Sequence, residues 1–239
     1  MSNSITITRE TLHRLLQDVK DIIKNPLESQ GIYYSHDESN ILKGYALIIG
    51  PIDTPYQYGF YFFKLEYPSD YPHRPPVVKY LTNDGTTRFH PNLYRNGKVC
   101  LSILNTWKGE QWSSCQTISS ILLTIVSIMD NCPLSNEPGF TSKSSECLPY
   151  NNCIQYKNFE IAINGILNER YAPKEYKYFK EQVHTNFKNN KDSIIKLINH
   201  YANIKKYNGE FIVGIYNMIV KTNYPKLVKE IENFTLSIQ

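Results

Sequence analysis

The sequence predicts an α+β fold, with an antiparallel sheet flanked by helices and then a mostly helical extension. Three patterns carry this reading. Apolar residues recur at helical spacing over residues 8–25, aromatic and aliphatic residues alternate between 45 and 67, and helical spacing returns after Ser113. The 239 residues suffice to bury a good-sized core. They are expected to divide into a core of residues 1–171 and an appendage of residues 172–239.

The first helix is read from Leu12, Leu15, Leu16, Val19, Ile22 and Ile23, with Thr8 as cap and Pro26 as stop. Its outer face carries His13, Arg14, Gln17 and Lys20. Strands follow: Tyr45, Leu47 and Ile49 alternate with Ala46 and Ile48. In the run from Phe60 to Tyr67 the residues Tyr61, Phe63, Leu65 and Tyr67 make one apolar face, with Lys64 and Glu66 on the other. This spacing predicts a half-buried sheet. Between Pro68 and Pro76, four prolines in nine positions exclude helix and central strand.

Ser113-Ser114-Cys115-Gln116 reads as a capping box opening the next helix, whose stripe is Ile118, Ile121, Leu122, Ile125, Ile128 and Met129. Asn131-Cys132-Pro133-Leu134 ends it. Residues 153–170 return to helical spacing through Phe159, Ala162, Ile163, Ile166 and Leu167. Beyond Pro173, two stretches fit the helical period: Tyr176, Phe179, Val183 and Phe187, then Ile194, Leu197, Ile198 and Tyr201. Gly209 breaks the pattern, Phe211 to Val220 reads equally as strand or helix, and a last helix spans Pro225 to Phe234. The extension is expected to be folded and packed on the core.

No apolar run approaches the eighteen or so residues that cross a bilayer, and the polar N-terminus lacks a signal-peptide core. The chain is expected to be soluble and intracellular, with no membrane partner. Its five cysteines (100, 115, 132, 147 and 153) lack metal-ligand pairing, so neither a disulfide framework, a metal site nor a cofactor is indicated. The net charge of +4 is concentrated in residues 172–239, which hold eleven lysines against six acidic residues. With no arginine cluster interleaved with aromatics, that points to a solvated surface rather than to nucleic acid.

One stretch carries the chemistry: His90-Pro91-Asn92-Leu93-Tyr94-Arg95-Asn96-Gly97-Lys98-Val99-Cys100, continuing into Leu101-Ser102-Ile103-Leu104 and followed by Trp107 and Trp112-Ser113. On residue types alone, Asn92 and Asn96-Gly97 are turn chemistry, and Cys100 could be a small buried hydrophobe. The combination resembles the active-site signature of ubiquitin-conjugating enzymes, and the resemblance runs in order from about Thr8 to about Tyr171. It implies a four-stranded antiparallel meander, and a Cys100 that carries ubiquitin as a thioester. It gives Asn92 an amide that stabilises the oxyanion or holds the loop, and His90 a loop-ordering role. The partners it implies are ubiquitin, a ubiquitin-activating enzyme, a substrate lysine and, in some cases, a ligase. Among partner-binding residues it carries over Arg14 on the first helix, together with His73 and Trp112. His73 stands where relatives commonly have an aromatic, and Ser114-Cys115 where they have Pro-Ala; both departures suggest an unusual ligase or none. A cis bond before Pro72 is also implied.

Within the family, Gly50-Pro51-Ile52-Asp53-Thr54-Pro55-Tyr56, the run from Phe89 to Leu104, and Asn136-Glu137-Pro138-Gly139-Phe140 look most like the Z class. The giant hybrid conjugating-and-ligase enzymes are close behind. The Z class has a C-terminal extension and takes ubiquitin from the alternative activating enzyme. Many relatives have an aspartate before the proline at 133, where this chain has Cys132. That is either drift to a small neutral residue or a thiol able to approach Cys100.

Thioester exchange asks little of a cysteine, because even the few per cent of thiolate present at the usual pKa of about 8.5 is strongly nucleophilic. Lysine is harder: with a pKa near 10.4, about one in a few thousand is neutral at pH 7. Without the aspartate, discharge to free lysine is expected to be slow. Three rivals remain: conjugation of another ubiquitin-like modifier, a non-catalytic ubiquitin-binding scaffold of the same fold, and a cysteine hydrolase. The scaffold lacks the cysteine that is present here, and the hydrolase needs a histidine and an orienting residue converging on the thiol.

Overall fold

The structure, a computed structural model, describes residues 7–237. The polar N-terminal residues 1–6 and the last two positions of the expected extension lie outside the described residues. Helix α1 (Arg9–Lys24) is capped by Thr8, whose hydroxyl accepts from the Thr11 N–H. Strands β1 (Ile32–His36), β2 (Lys43–Ile49), β3 (Phe60–Glu66) and β4 (Val77–Tyr80) then form one antiparallel meander in the order β1-β2-β3-β4. The register sets Tyr33 opposite Leu47, Leu47 opposite Phe62, and Phe63 opposite Tyr80. This is the α+β, four-stranded architecture that the sequence resemblance implies. The Tyr71–Pro72 bond is cis, as the family pattern also implies.

Three local expectations are corrected. In α1 the buried positions are Thr11, Leu15, Asp18 and Ile22, while Leu12, Leu16 and Ile23 are exposed. The buried stripe is rotated because Asp18 is drawn inward: it accepts from the buried Tyr71 hydroxyl and pairs with Arg14. The sheet, too, is covered on both faces near its centre. Phe62, on the face opposite Tyr61 and Phe63, is fully buried, because Tyr176 and Phe179 of the extension lie against it with ring centroids 6.1 Å away. Burial of that phenylalanine alone is worth about 2–3 kcal/mol. Finally, helix α2 (Ile118–Ile128) starts four residues later than the expected box. Its capping box is Thr117 with Ser120, whereas Ser113 to Gln116 closes a turn and gives its Ser114 and Gln116 carbonyls to Arg14.

Helix α3 (Cys147–Lys157) runs on into a π-helical segment (Asn158–Gly165), so the expected helix is present but begins earlier. Asn158, fully buried there, accepts from the Tyr61 hydroxyl at 2.6 Å and donates to the Gln57 carbonyl at 2.9 Å, pinning this helix to the sheet. In the extension the two apolar stretches fall on a short turn (Lys174–Tyr178) and one long helix, α4 (Lys180–Ala202). The stretch that read equally as strand or helix is a hairpin of β5 (Glu210–Val213) and β6 (Met218–Lys221), and α5 (Tyr224–Ser237) is the last described element. The extension shares the core: Tyr45 stacks on Tyr178, and Phe159 packs against Tyr201 and Tyr224. Among the described residues no helix is long and apolar enough to cross a membrane.

Candidate active site

The loop that follows β4 builds the site. Tyr80 donates to the Gly97 carbonyl at 2.8 Å, and Tyr94 to the Lys98 carbonyl at 2.9 Å, closing a turn. Its glycine has φ 86° and would place a Cβ 2.8 Å from the Tyr80 carbonyl, so only glycine fits. His90 is fully buried, and its Nδ1 accepts from the Asn92 N–H at 2.9 Å. Burial holds its imidazole down to about 3 and therefore neutral. That excludes it as a base facing solvent and makes it a loop-ordering residue.

Asn92 and Cys100 hold each other. The Cys100 N–H donates to the Asn92 carbonyl at 2.9 Å, and the Asn92 Nδ2 donates to the Cys100 carbonyl at 2.6 Å. Beyond the cysteine, Thr106 Oγ1 accepts from the Leu101 N–H at 2.9 Å and donates to the Val99 carbonyl at 3.0 Å, binding both flanks of the thiol. Cys100 itself is buried, with 2% of its surface exposed. No histidine hydrogen-bonds this sulfur among the described interactions, which separates the arrangement from a hydrolase triad.

The three partner-binding candidates gather at a separate edge made by α1, the proline loop and the turn before α2. Trp112 donates its indole N–H to the Pro72 carbonyl at 2.6 Å and lies against Tyr71. His73 is largely exposed, 3.4 Å from Glu10 of α1. Arg14 is committed within the chain: its guanidinium donates to the carbonyls of Ser114 at 2.5 Å and Gln116 at 2.6 Å, and to Asp18 at 3.0 Å.

Cys132 finds a different partner from the one weighed for it: its sulfur lies 3.4 Å from that of Cys147, and no described hydrogen bond joins it to Cys100. Burial, with the neighbouring Cys132, pushes the Cys147 thiol well above its usual pKa. Sequence reasoning also missed Arg88, which reaches the carbonyls of His90 and Pro91. A single arginine before the motif gives no periodic signal. Among the described residues no group of three or more His, Cys, Asp or Glu side chains is arranged to hold a metal.

A four-stranded meander whose following loop presents an Asn-braced cysteine defines a class. Residues 14–158 match the family model for ubiquitin-conjugating enzymes, and the chain belongs to that family. Within it the likeness is to the Z class. The chain is 45% identical over 157 residues to ubiquitin-conjugating enzyme E2 Z of Xenopus tropicalis, covering 64% of this chain and 50% of that protein. It is also 45% identical over 157 residues to E2 Z of Homo sapiens, covering 64% and 44%. The human dual E2 ubiquitin-conjugating enzyme/E3 ubiquitin-protein ligase BIRC6 is 35% identical over 201 residues, 78% of this chain and 4% of that one. The solved structure of human ubiquitin-conjugating enzyme E2 G1 is 34% identical with a TM-score of 0.45, covering 52% of this chain and 97% of its own. The matched region spans about half the length of the E2 Z relatives.

Proposed function

We propose that Cys100 accepts ubiquitin as a thioester from an activating enzyme and passes it to a substrate lysine, alone or with a ligase. The observation that carries this reading is the hydrogen bond from the Asn92 amide to the Cys100 carbonyl, which fixes the backbone of the nucleophile. In the first step the Cys100 thiolate attacks the activating enzyme's thioester carbonyl, a new C–S bond forms, and the activating enzyme's thiolate leaves. In the second a neutral lysine amine attacks the same carbonyl. The C–S bond breaks, an isopeptide bond forms, and the amine's proton leaves as the Cys100 thiol is restored. Neither step needs a catalytic histidine.

Asn92 enters this reading chiefly as the brace of the loop: one hydrogen of its amide is given to the Cys100 carbonyl, and the other is not committed by that bond and can serve the oxyanion. The edge formed by α1, His73 and Trp112 is the docking face for the activating enzyme and any ligase. A thiol used this way belongs in a reducing, intracellular compartment. The test is charging: the protein with ubiquitin, ATP and, in parallel, each of the two ubiquitin-activating enzymes, resolved on gels with and without reductant. A reductant-sensitive adduct lost in Cys100→Ala supports the reading, and the activating enzyme that works assigns the subclass. No adduct with either moves the function to another ubiquitin-like modifier or to a scaffold.

A further inference from the structure

The hairpin of the C-terminal extension sits directly behind the active-site loop. At the turn between β5 and β6, the Tyr216 carbonyl accepts from the Arg95 guanidinium at 2.5 Å, and the Tyr216 hydroxyl donates to Glu137 at 2.6 Å. Its ring lies 5.7 Å from Tyr150 and 5.3 Å from the Arg88 guanidinium carbon, which also stacks 3.3 Å over Tyr94. Met218 of β6 accepts the Arg88 N–H through its sulfur at 3.2 Å, and Tyr150 donates to the Arg88 carbonyl at 2.8 Å. Arg88 is thereby held between two tyrosine rings, with its backbone fixed on both sides.

From that position Arg88 reaches forward. Its Nε donates to the His90 carbonyl at 3.0 Å and its Nη2 to the Pro91 carbonyl at 2.5 Å. A planar guanidinium can serve both carbonyls at once, which a lysine ammonium on a flexible stem cannot do with the same geometry. These two carbonyls immediately precede Asn92, whose side chain holds Cys100. A continuous path of contacts therefore runs from Tyr216 through Arg88 and the His90-Pro91 peptides to Asn92 and the nucleophile.

We propose that Tyr216, in the extension, and Arg88 are positioning residues for transfer from Cys100: the hairpin braces Arg88, and Arg88 fixes the loop that holds Asn92. This rests on the conjugating reading above. The extension is on this view part of the active-site architecture. Its effect belongs to the lysine-attack step, where loop geometry matters most, and less to thioester exchange, for which a reachable thiolate suffices.

The experiment charges the full chain with ubiquitin, exhausts ATP, and follows single-turnover discharge over a series of free lysine concentrations. For Tyr216→Ala the maximal discharge rate should fall on the order of tenfold, less than the hundredfold that a full ångström of misplacement can cost. The half-saturating lysine concentration and the extent of charging should stay within about twofold. Tyr216→Phe, which keeps the ring beside Arg88, should recover most of the rate. Arg88→Lys should fall as far as Tyr216→Ala, and the double variant should be little slower than either single one, because both act through one path. Ile219→Ala, on the exposed side of the same hairpin, should match the unsubstituted chain.

Discharge by Tyr216→Ala at the unsubstituted rate, or losses that add in the double variant, overturns the proposal. If Tyr216→Ala fails to fold, Arg88→Lys alone decides, with an unchanged rate overturning it. Failure of the unsubstituted chain to charge would instead remove the conjugating reading, so the two failures are distinguishable.

Discussion

Asn92 and Cys100, eight residues apart, bind each other twice: a side-chain amide on the cysteine's carbonyl at 2.6 Å, and the cysteine's N–H on the asparagine's carbonyl at 2.9 Å. Removing the amide leaves the Cys100 carbonyl without that partner and loosens the backbone under the sulfur. Asn92→Ala is expected to slow transfer from the charged thioester to lysine by roughly a hundredfold, the scale of losing one well-placed donor, while charging persists. Single-turnover discharge measures this, and a rate within twofold of the unsubstituted chain would contradict it.

His90 makes the fold sensitive to acid. Its neutral imidazole is held down to about 3 by burial, opposed by the Ile128 carbonyl and aided by the Arg88 charge. In the unfolded chain it titrates near 6.5. Because the unfolded state takes up a proton that the folded state refuses, this contribution is fully present above about pH 6.5. It is lost as pH falls toward 3, by roughly 2–3 kcal/mol between pH 6.5 and 4.5. His36 and His184, also lowered chiefly by burial, act in the same direction. His90→Asn retains an acceptor near Nδ1 for the Asn92 N–H and removes the titration, so its urea midpoint should vary less steeply over this range. Equal slopes would refute the assignment.

Cys132 and Cys147, 3.4 Å apart at sulfur, need only about an ångström and a half of closure to bond. Hydrogen peroxide, taking two electrons and two protons from the pair and leaving as two waters, is expected to join them. Peptide mapping should show the link with Cys100 still free, and Cys132→Ser should abolish it; a Cys100–Cys132 link would overturn the pairing.

The same position offers a test of the lysine step. Cys132→Asp restores the carboxylate that many relatives carry before the proline, and discharge to free lysine should quicken, by up to about a hundredfold if the amine's pKa falls two units. An unchanged rate would mean that residue 132 does not meet the incoming amine.

Arg14 fastens α1 to the turn before α2. Arg14→Ala removes donors from the Ser114 and Gln116 carbonyls and leaves Asp18, whose side chain is 3% exposed, without its cation. A loss of about 2–3 kcal/mol in chemical denaturation is expected. A charging defect in that variant therefore does not by itself map the activating-enzyme contact. Lys20→Ala and His13→Ala, on the exposed face, test that contact alone, and a charging defect in either without a stability loss would locate it there.

Much of this was legible because it is local. The alternation around Phe60 to Tyr67, the prolines before β4 and the run from His90 to Cys100 each state their own geometry. What was illegible depends on residues far apart. The outward-reading Phe62 is buried only because Tyr176 and Phe179 arrive from the extension, and Thr117 caps α2 in a chain where Arg14 occupies the carbonyls of the earlier candidate. The hairpin at 210–221 has short strands with too few alternations to tell a strand from a helix. Arg88 and Tyr216, 128 positions apart, meet only after the whole chain has folded. The contact of Cys132 with Cys147, fifteen positions on, is likewise set by packing that residue types do not state.

The family model matches residues 14–158, which invites cutting the chain there or at 171 to obtain a minimal catalyst. The rings around Phe62, Tyr45 and Phe159 argue against the cut. A shortened protein would present to solvent a sheet face and a helix flank that are now dry, a contiguous sticky surface of the kind that drives aggregation. Recombinant expression should therefore reward the full length, and inclusion bodies from a trimmed version would report a missing wall, not an unstable family domain.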